Sequence, residues 1–156
     1  MKIYVRLGVL ATTCCMLVPA WAAQTVDATN PAELVSIIQA LGYRAVLDTD
    51  DTGDPMIRSS TGGTDFSIYF YGCTDNKDCK SLLFKAGYDL DDGTTLEVID
   101  DWNETILFGR AYLDDEADPW LEMPVNMDGG VSRRNFEDNY DWWEVIVGEF
   151  EDHIRF

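Results

Sequence analysis

Phe136, Tyr140, Trp143, Val147, Phe150 and Ile154 recur at steps of four, three, four, three and four. That rhythm puts all of them on one face of an α-helix, and so wide an apolar stripe must be covered by another part of the chain. Trp142 and Ile146 fall beside the seam and widen it, and Ser132 is placed to cap the helix start. The stripe is too short for a firm coiled coil, so it is expected to pack on a sheet.

The segments needed to build that sheet lie between two helices. The first helix begins at Asn30-Pro31-Ala32-Glu33. Here Asn can cap, Pro suits the first helical position, and Glu33 can complete a capping box. Leu34, Ile37, Ile38 and Leu41 share one face, and Gly42 is placed to end the helix. The residues before it, up to Thr29, read as a short flexible lead.

After Gly42 the period changes to two. "YRAVLD" and "MIRSS" read as strands joined by the acidic turn "TDDTGDP". In "DFSIYFYGC", Phe66, Ile68 and Phe70 alternate with Ser67, Tyr69 and Tyr71, and in "SLLFKAGYD" Leu82, Phe84 and Ala86 share one face. A short helix is expected around "TTLEVIDDWN", with Leu96, Ile99 and Trp102 three apart. "ETILFGRAYLD", the acidic turn "DEADP" and "WLEMPVNM" then form a further hairpin, in which Pro124 argues for an edge or a bulge. The two acidic turns share Asp-Pro before an apolar strand, because Asp favours turns and Pro blocks helix. The expected order is α-β-β-β-β-α-β-β-α, an α+β fold with an antiparallel sheet flanked by helices.

Residues 1–22 read as a secretory signal peptide and 23–156 as one domain. Lys2 and Arg6 precede an apolar run too short for a membrane span, and Ala20 and Ala22 stand at −3 and −1 of a small-residue cleavage site. Cys14 and Cys15 lie within that run. Thr12-Thr13 precede them where a lipoprotein signal needs an aliphatic and then a small residue, so both cysteines are expected to leave with the signal. The location implied is periplasmic or secreted. The remaining length suits one hydrophobic core.

The formal net charge of −18 repels nucleic-acid phosphates and anionic lipid headgroups. A charge-driven partner should be basic, although a solvated acidic surface also serves solubility alone.

Export decides how Cys73-x5-Cys79 is read. In an oxidising compartment a Cys73–Cys79 disulfide is the default, stapling a hairpin at its base. C-x-x-C spacing is missing, and Asp75 and Asp78 disfavour a thiolate, which argues against a redox site. A zinc site is undersupplied: His153 is the sole histidine, and it reads as a last-turn residue suited to a helix C-terminus. Asp48, Asp50, Thr52 and Gly53 match the first positions of a calcium loop, but Ser59 stands where a bidentate Glu belongs and the flanks are strands. An acidic hairpin turn fits better. G-x-S-x-G, H-E-x-x-H and a phosphate-binding glycine loop are all missing, and no pair among 29 acids stands out for glycoside cleavage.

"PAELVSIIQALGYRAVLDTDDTGDPMIRSS", "FSIYFYGC", "KSLLFKAGY", "WNETILFGRAYLDDEADPWLEMPVNMDGGV" and the final aromatic helix together resemble the YbjN-domain family of bacterial sensory-transduction regulators. Arg110-Ala111-Tyr112-Leu113-Asp114 is the centre of the most specific part. Ala117, where Gly is expected before Asp-Pro, and Pro124, where an acid is more usual, depart from the pattern. The resemblance implies a fold like that of type III secretion chaperones, often dimeric, and no catalytic residues.

The reading is therefore a non-enzymatic, exported protein-interaction or chaperone-like regulatory module, with no cofactor or metal and with homodimerisation left open. Trp142, Tyr69 and Tyr71 are the candidate partner contacts, for a basic or apolar protein. The alternatives are a small carboxylate-dependent glycan hydrolase and a calcium-dependent binding module.

Overall fold

Six strands form one antiparallel sheet in the order β2-β3-β4-β5-β7-β6, and helices cover one of its faces. The strands are β2 (Ala45–Thr49), β3 (Pro55–Thr61), β4 (Thr64–Tyr71), β5 (Ser81–Gly87), β6 (Arg110–Leu113) and β7 (Pro119–Asn126). A two-residue strand, β1 (Thr25–Val26), pairs with β8 (Val131–Ser132) in a separate ladder. The helices are α1 (Pro31–Ala40), α2 (Leu96–Thr105) and α3 (Arg133–Ile154). This is a computed structural model that describes residues 25–156, so the expected signal peptide, Cys14 and Cys15 lie outside the described residues. The α+β class and the order of the main elements are as expected from the sequence.

Local chemistry fixes both long-range helices. Asn30 caps α1 by accepting from the Glu33 amide at 3.3 Å, and Ser132 caps α3 by accepting from the Asn135 amide at 3.1 Å. The whole α3 seam is buried, with Ile146 beside it. It lies on Phe66 of β4 and Phe84 of β5: Trp143 is 5.4 Å from the first ring and 5.6 Å from the second. Tyr140 reaches β3 through a 2.8 Å hydrogen bond to the Ser59 hydroxyl, which satisfies two buried polar groups at once.

Some expectations are corrected. The lead before α1 is held, not loose: Thr25 pairs with Ser132 and Val26 with Val131, and Val26 and Ala28 are buried. On α2, Ile99 and Trp102 are buried but Leu96 is exposed, because the helix buries a narrow stripe only. The strand expected from Glu104 starts at Arg110, since α2 runs to Thr105 and Gly109 turns the chain at φ 86°. Pro124 sits in an interior strand. However, β6 starts at Arg110, opposite Glu122, so among the described residues no ladder runs along the far side of β7 at Pro124.

His153 does lie in the last turn of α3, where its ring bonds the Val98 carbonyl at 2.8 Å and ties α3 to α2. Cys73 and Cys79 form a disulfide across the base of the β4–β5 hairpin.

Candidate functional site

Because α1 and α3 cover one face of the sheet, strand alternation sends every second side chain to the other face, which no helix among the described residues covers. The register aligns these side chains in cross-strand rows. Arg58, Ser67, Lys85, Glu122 and Arg110 form one row across β3, β4, β5, β7 and β6. On one side of it run Met56, Tyr69, Leu83 and Pro124. On the other run Gly87, Trp120 and Tyr112. A polar line thus separates an apolar row from an aromatic one.

Glu122 anchors the polar row. It is buried, and its Oε2 accepts from Arg110 Nη2 at 2.8 Å and Nε at 3.2 Å, while Lys85 Nζ stands 3.5 Å from Oε1. Two cations around one desolvated carboxylate make the burial tolerable. The Lys85 ammonium also lies 4.6 Å from the Trp120 ring centre and 5.5 Å from that of Tyr112, in cation–π geometry. Burial pulls the Lys85 pKa down, but its hydrogen bond to Tyr112 and the charges of Tyr112 and Glu122 outweigh that pull and raise it. Lys85 is therefore a fixed cation and not a candidate base.

Trp120 is held as a wall. Its Nε1 donates to Asp114 Oδ2 at 3.0 Å, and its ring covers Gly87. The Trp120 bond, with backbone amides of the turn, holds the Asp114 carboxyl below the usual carboxylate range. Between this wall and Arg58 lies an open hollow of about 450 Å³, floored by Ser67, Lys85 and Gly87 and bordered by Tyr69. Asp65, Asp89 and Asp118 stand around its rim.

Of the residues singled out in the sequence, Tyr69 borders this hollow. Tyr71 lies two residues further along the same face and is exposed. Trp142 is elsewhere, on α3, with its ring 5.3 Å from that of Phe108. The three proposed contacts thus fall on two surfaces. Lys85, Trp120 and Glu122 were not singled out, and Arg110 was named only as part of the family motif. Alternation alone places Lys85 and Gly87 outward, because Leu82, Phe84 and Ala86 face inward, but it does not say which strand lies beside them.

The calcium pattern does not assemble. Asp48 pairs with Arg58 at 2.7 Å, Asp50 caps its own turn through the Thr52 and Asp54 amides, and Ser59 is buried against Tyr140 on the opposite face. Among the described residues, no group of three or more His, Cys, Asp or Glu is placed to hold a metal ion. Nor is any helix among them long and apolar enough to cross a membrane.

Comparison with known proteins gives one match. The family model YbjN, described as "Putative bacterial sensory transduction regulator", covers residues 30–156, and the chain belongs to that family. Arg110, Tyr112 and Asp114, from the centre of the motif, are the residues that brace Glu122, Lys85 and Trp120. No curated protein and no solved structure matches the chain.

Proposed function

We propose that this member of the YbjN family is a non-enzymatic regulatory module of the bacterial envelope, which binds a protein partner on the helix-free face of its sheet. The observation that carries this reading is the hollow between Trp120 and Arg58, with Tyr69 at its border and Tyr71 beyond. A preformed aromatic wall beside fixed charged groups is what a recognition surface needs, because little side-chain freedom is lost on binding.

The charged groups favour binding over hydrolysis. A glycosidase requires one carboxyl held protonated opposite a second that is ionised. Here the buried carboxylate, Glu122, is occupied by Arg110 and Lys85, and Asp114 is held as an ion by Trp120. Export is supported by the charged, apolar and small-residue order of residues 1–22 and is in keeping with the Cys73–Cys79 disulfide.

The test pairs two assays. Cell fractionation should place the protein outside the cytoplasm, and purified protein should release no product from cell-wall glycan fragments. Product release that disappears on Glu122→Gln or Asp114→Asn would establish the hydrolase reading instead.

A further inference from the structure

A second surface lies on the outer side of α3, away from the sheet. Trp142 and Val145 are 45% and 47% exposed there, and the loop after α2 adds Leu107 at 86% and Phe108 at 45%. The loop and the helix meet: the Phe108 ring lies tilted against Trp142, 5.3 Å between centres, and the loop packs so tightly on α3 that a Cβ at Gly109 would stand 2.7 Å from Ile146 Cδ1. Large apolar side chains gathered in this way, rather than scattered singly, mark interaction surfaces.

Two further features define the occupant. Asp138, Trp142, Val145, Glu149 and Asp152 follow steps of four, three, four and three, so acids continue the apolar stripe at both of its ends. Asp138, Glu149 and Asp152 are all exposed. Gly148, also exposed, lies one turn beyond Val145, and a Cβ there would meet nothing within 4 Å. Gly is a poor helix former, and no contact among the described residues requires it at this position. A missing side chain one turn beyond Val145 leaves room for another backbone to approach closely.

We infer that the Trp142–Val145–Gly148 face of α3, with Leu107 and Phe108, receives a cationic amphipathic helix of a partner protein. Leucine-like anchors would cover the aromatic pair, and Lys or Arg one turn away would meet Asp138 and Glu149. A second copy of this chain fits poorly, because an antiparallel pairing of the stripe would set acids against acids. Anionic membranes and nucleic acids are repelled for the same reason. This surface is distinct from the sheet face, so the two readings can fail separately.

The test uses a synthetic Leu/Lys peptide with leucines on one helical face, and a control of the same composition with leucines spread around the helix. Calorimetry and amide chemical shifts follow the binding of each to the full folded domain. The amphipathic peptide should bind saturably, with shifts at 106–109 and 138–149. Trp142→Ala, and Gly148→Leu as a steric block, should each weaken it about tenfold or more. Tyr69→Ala, on the sheet face, should leave it unchanged. Equal affinity for both peptides, or indifference to Trp142→Ala and Gly148→Leu, would reduce the effect to diffuse charge attraction and overturn the inference. Self-association in sedimentation that Trp142→Asp abolishes would overturn it in favour of a second copy.

Discussion

Gly87 lies beneath the Trp120 indole, so close that a Cβ on Gly87 would stand 2.7 Å from the ring. The pair faces across β5 and β7, and the missing side chain lets the indole lie flat over the strand. Gly87→Ala should therefore displace Trp120 and destabilise the domain by about 1–3 kcal/mol, the usual cost of overpacking. Urea unfolding measures the loss. An unchanged midpoint would mean that the indole is not held in this position.

The two acidic turns are built alike. Asp50 accepts from the amides of Thr52 and Asp54, and Asp114 accepts from those of Glu116 and Asp118. Gly53 occupies the left-handed position at φ 89°, and Ala117 occupies its counterpart at φ 64°. A Cβ in that region is unfavourable, so Ala117→Gly should stabilise the domain by about 1 kcal/mol. A thermal melt that moves downward would contradict this.

The disulfide loop is fastened to the first of these turns. Asn76 Nδ2 donates to the Thr52 carbonyl at 3.2 Å and to Asp54 Oδ1 at 2.9 Å. Reduction should cost about 2 kcal/mol in the chain-entropy model for so short a loop. It should also raise hydrogen exchange in residues 50–54 together with 73–79. Exchange confined to the cysteine loop would show that the two segments are not coupled.

Alkaline pH tests the contact between α3 and the chain after α1. The hydrogen bond to Glu144, with burial and the nearby negative charge, pushes the Tyr43 hydroxyl up to about 12. A folded pKa above the unfolded one means that the contribution is fully present below the ordinary tyrosine range and is lost as pH rises towards about 12. Tyr43→Phe should therefore flatten the fall in stability over that window. A pH profile identical to that of the parent chain would remove Tyr43 from the explanation.

The helices and hairpins were legible in the sequence because their determinants are local. Asn30 and Ser132 cap, the α3 seam repeats, and Phe66, Ile68 and Phe70 alternate. Tyr69 and Tyr71 could be placed on the outer face by the same alternation. The row from Lys85 to Glu122 and Arg110 could not be read in this way. Its register depends on β7 lying between β5 and β6, a neighbour relation that strand periodicity does not encode. The ladder from Val26 to Val131 was hidden for a similar reason, since two residues are too few to show a period. Of the two residues expected to widen the seam, Ile146 is buried but Trp142 is exposed, and its pairing with Phe108 requires the loop after α2 to fold back onto α3.

The most direct measurement of the central claim is photo-crosslinking from position 69 in living cells, followed by mass spectrometry of the adduct. A photo-reactive residue replaces Tyr69, beside the hollow, and the same residue at exposed Glu97 on α2 serves as the control. Binding through the helix-free face predicts a discrete protein adduct from position 69 that position 97 does not give. Equal labelling from both positions, or none from 69 in folded and correctly located protein, would contradict it.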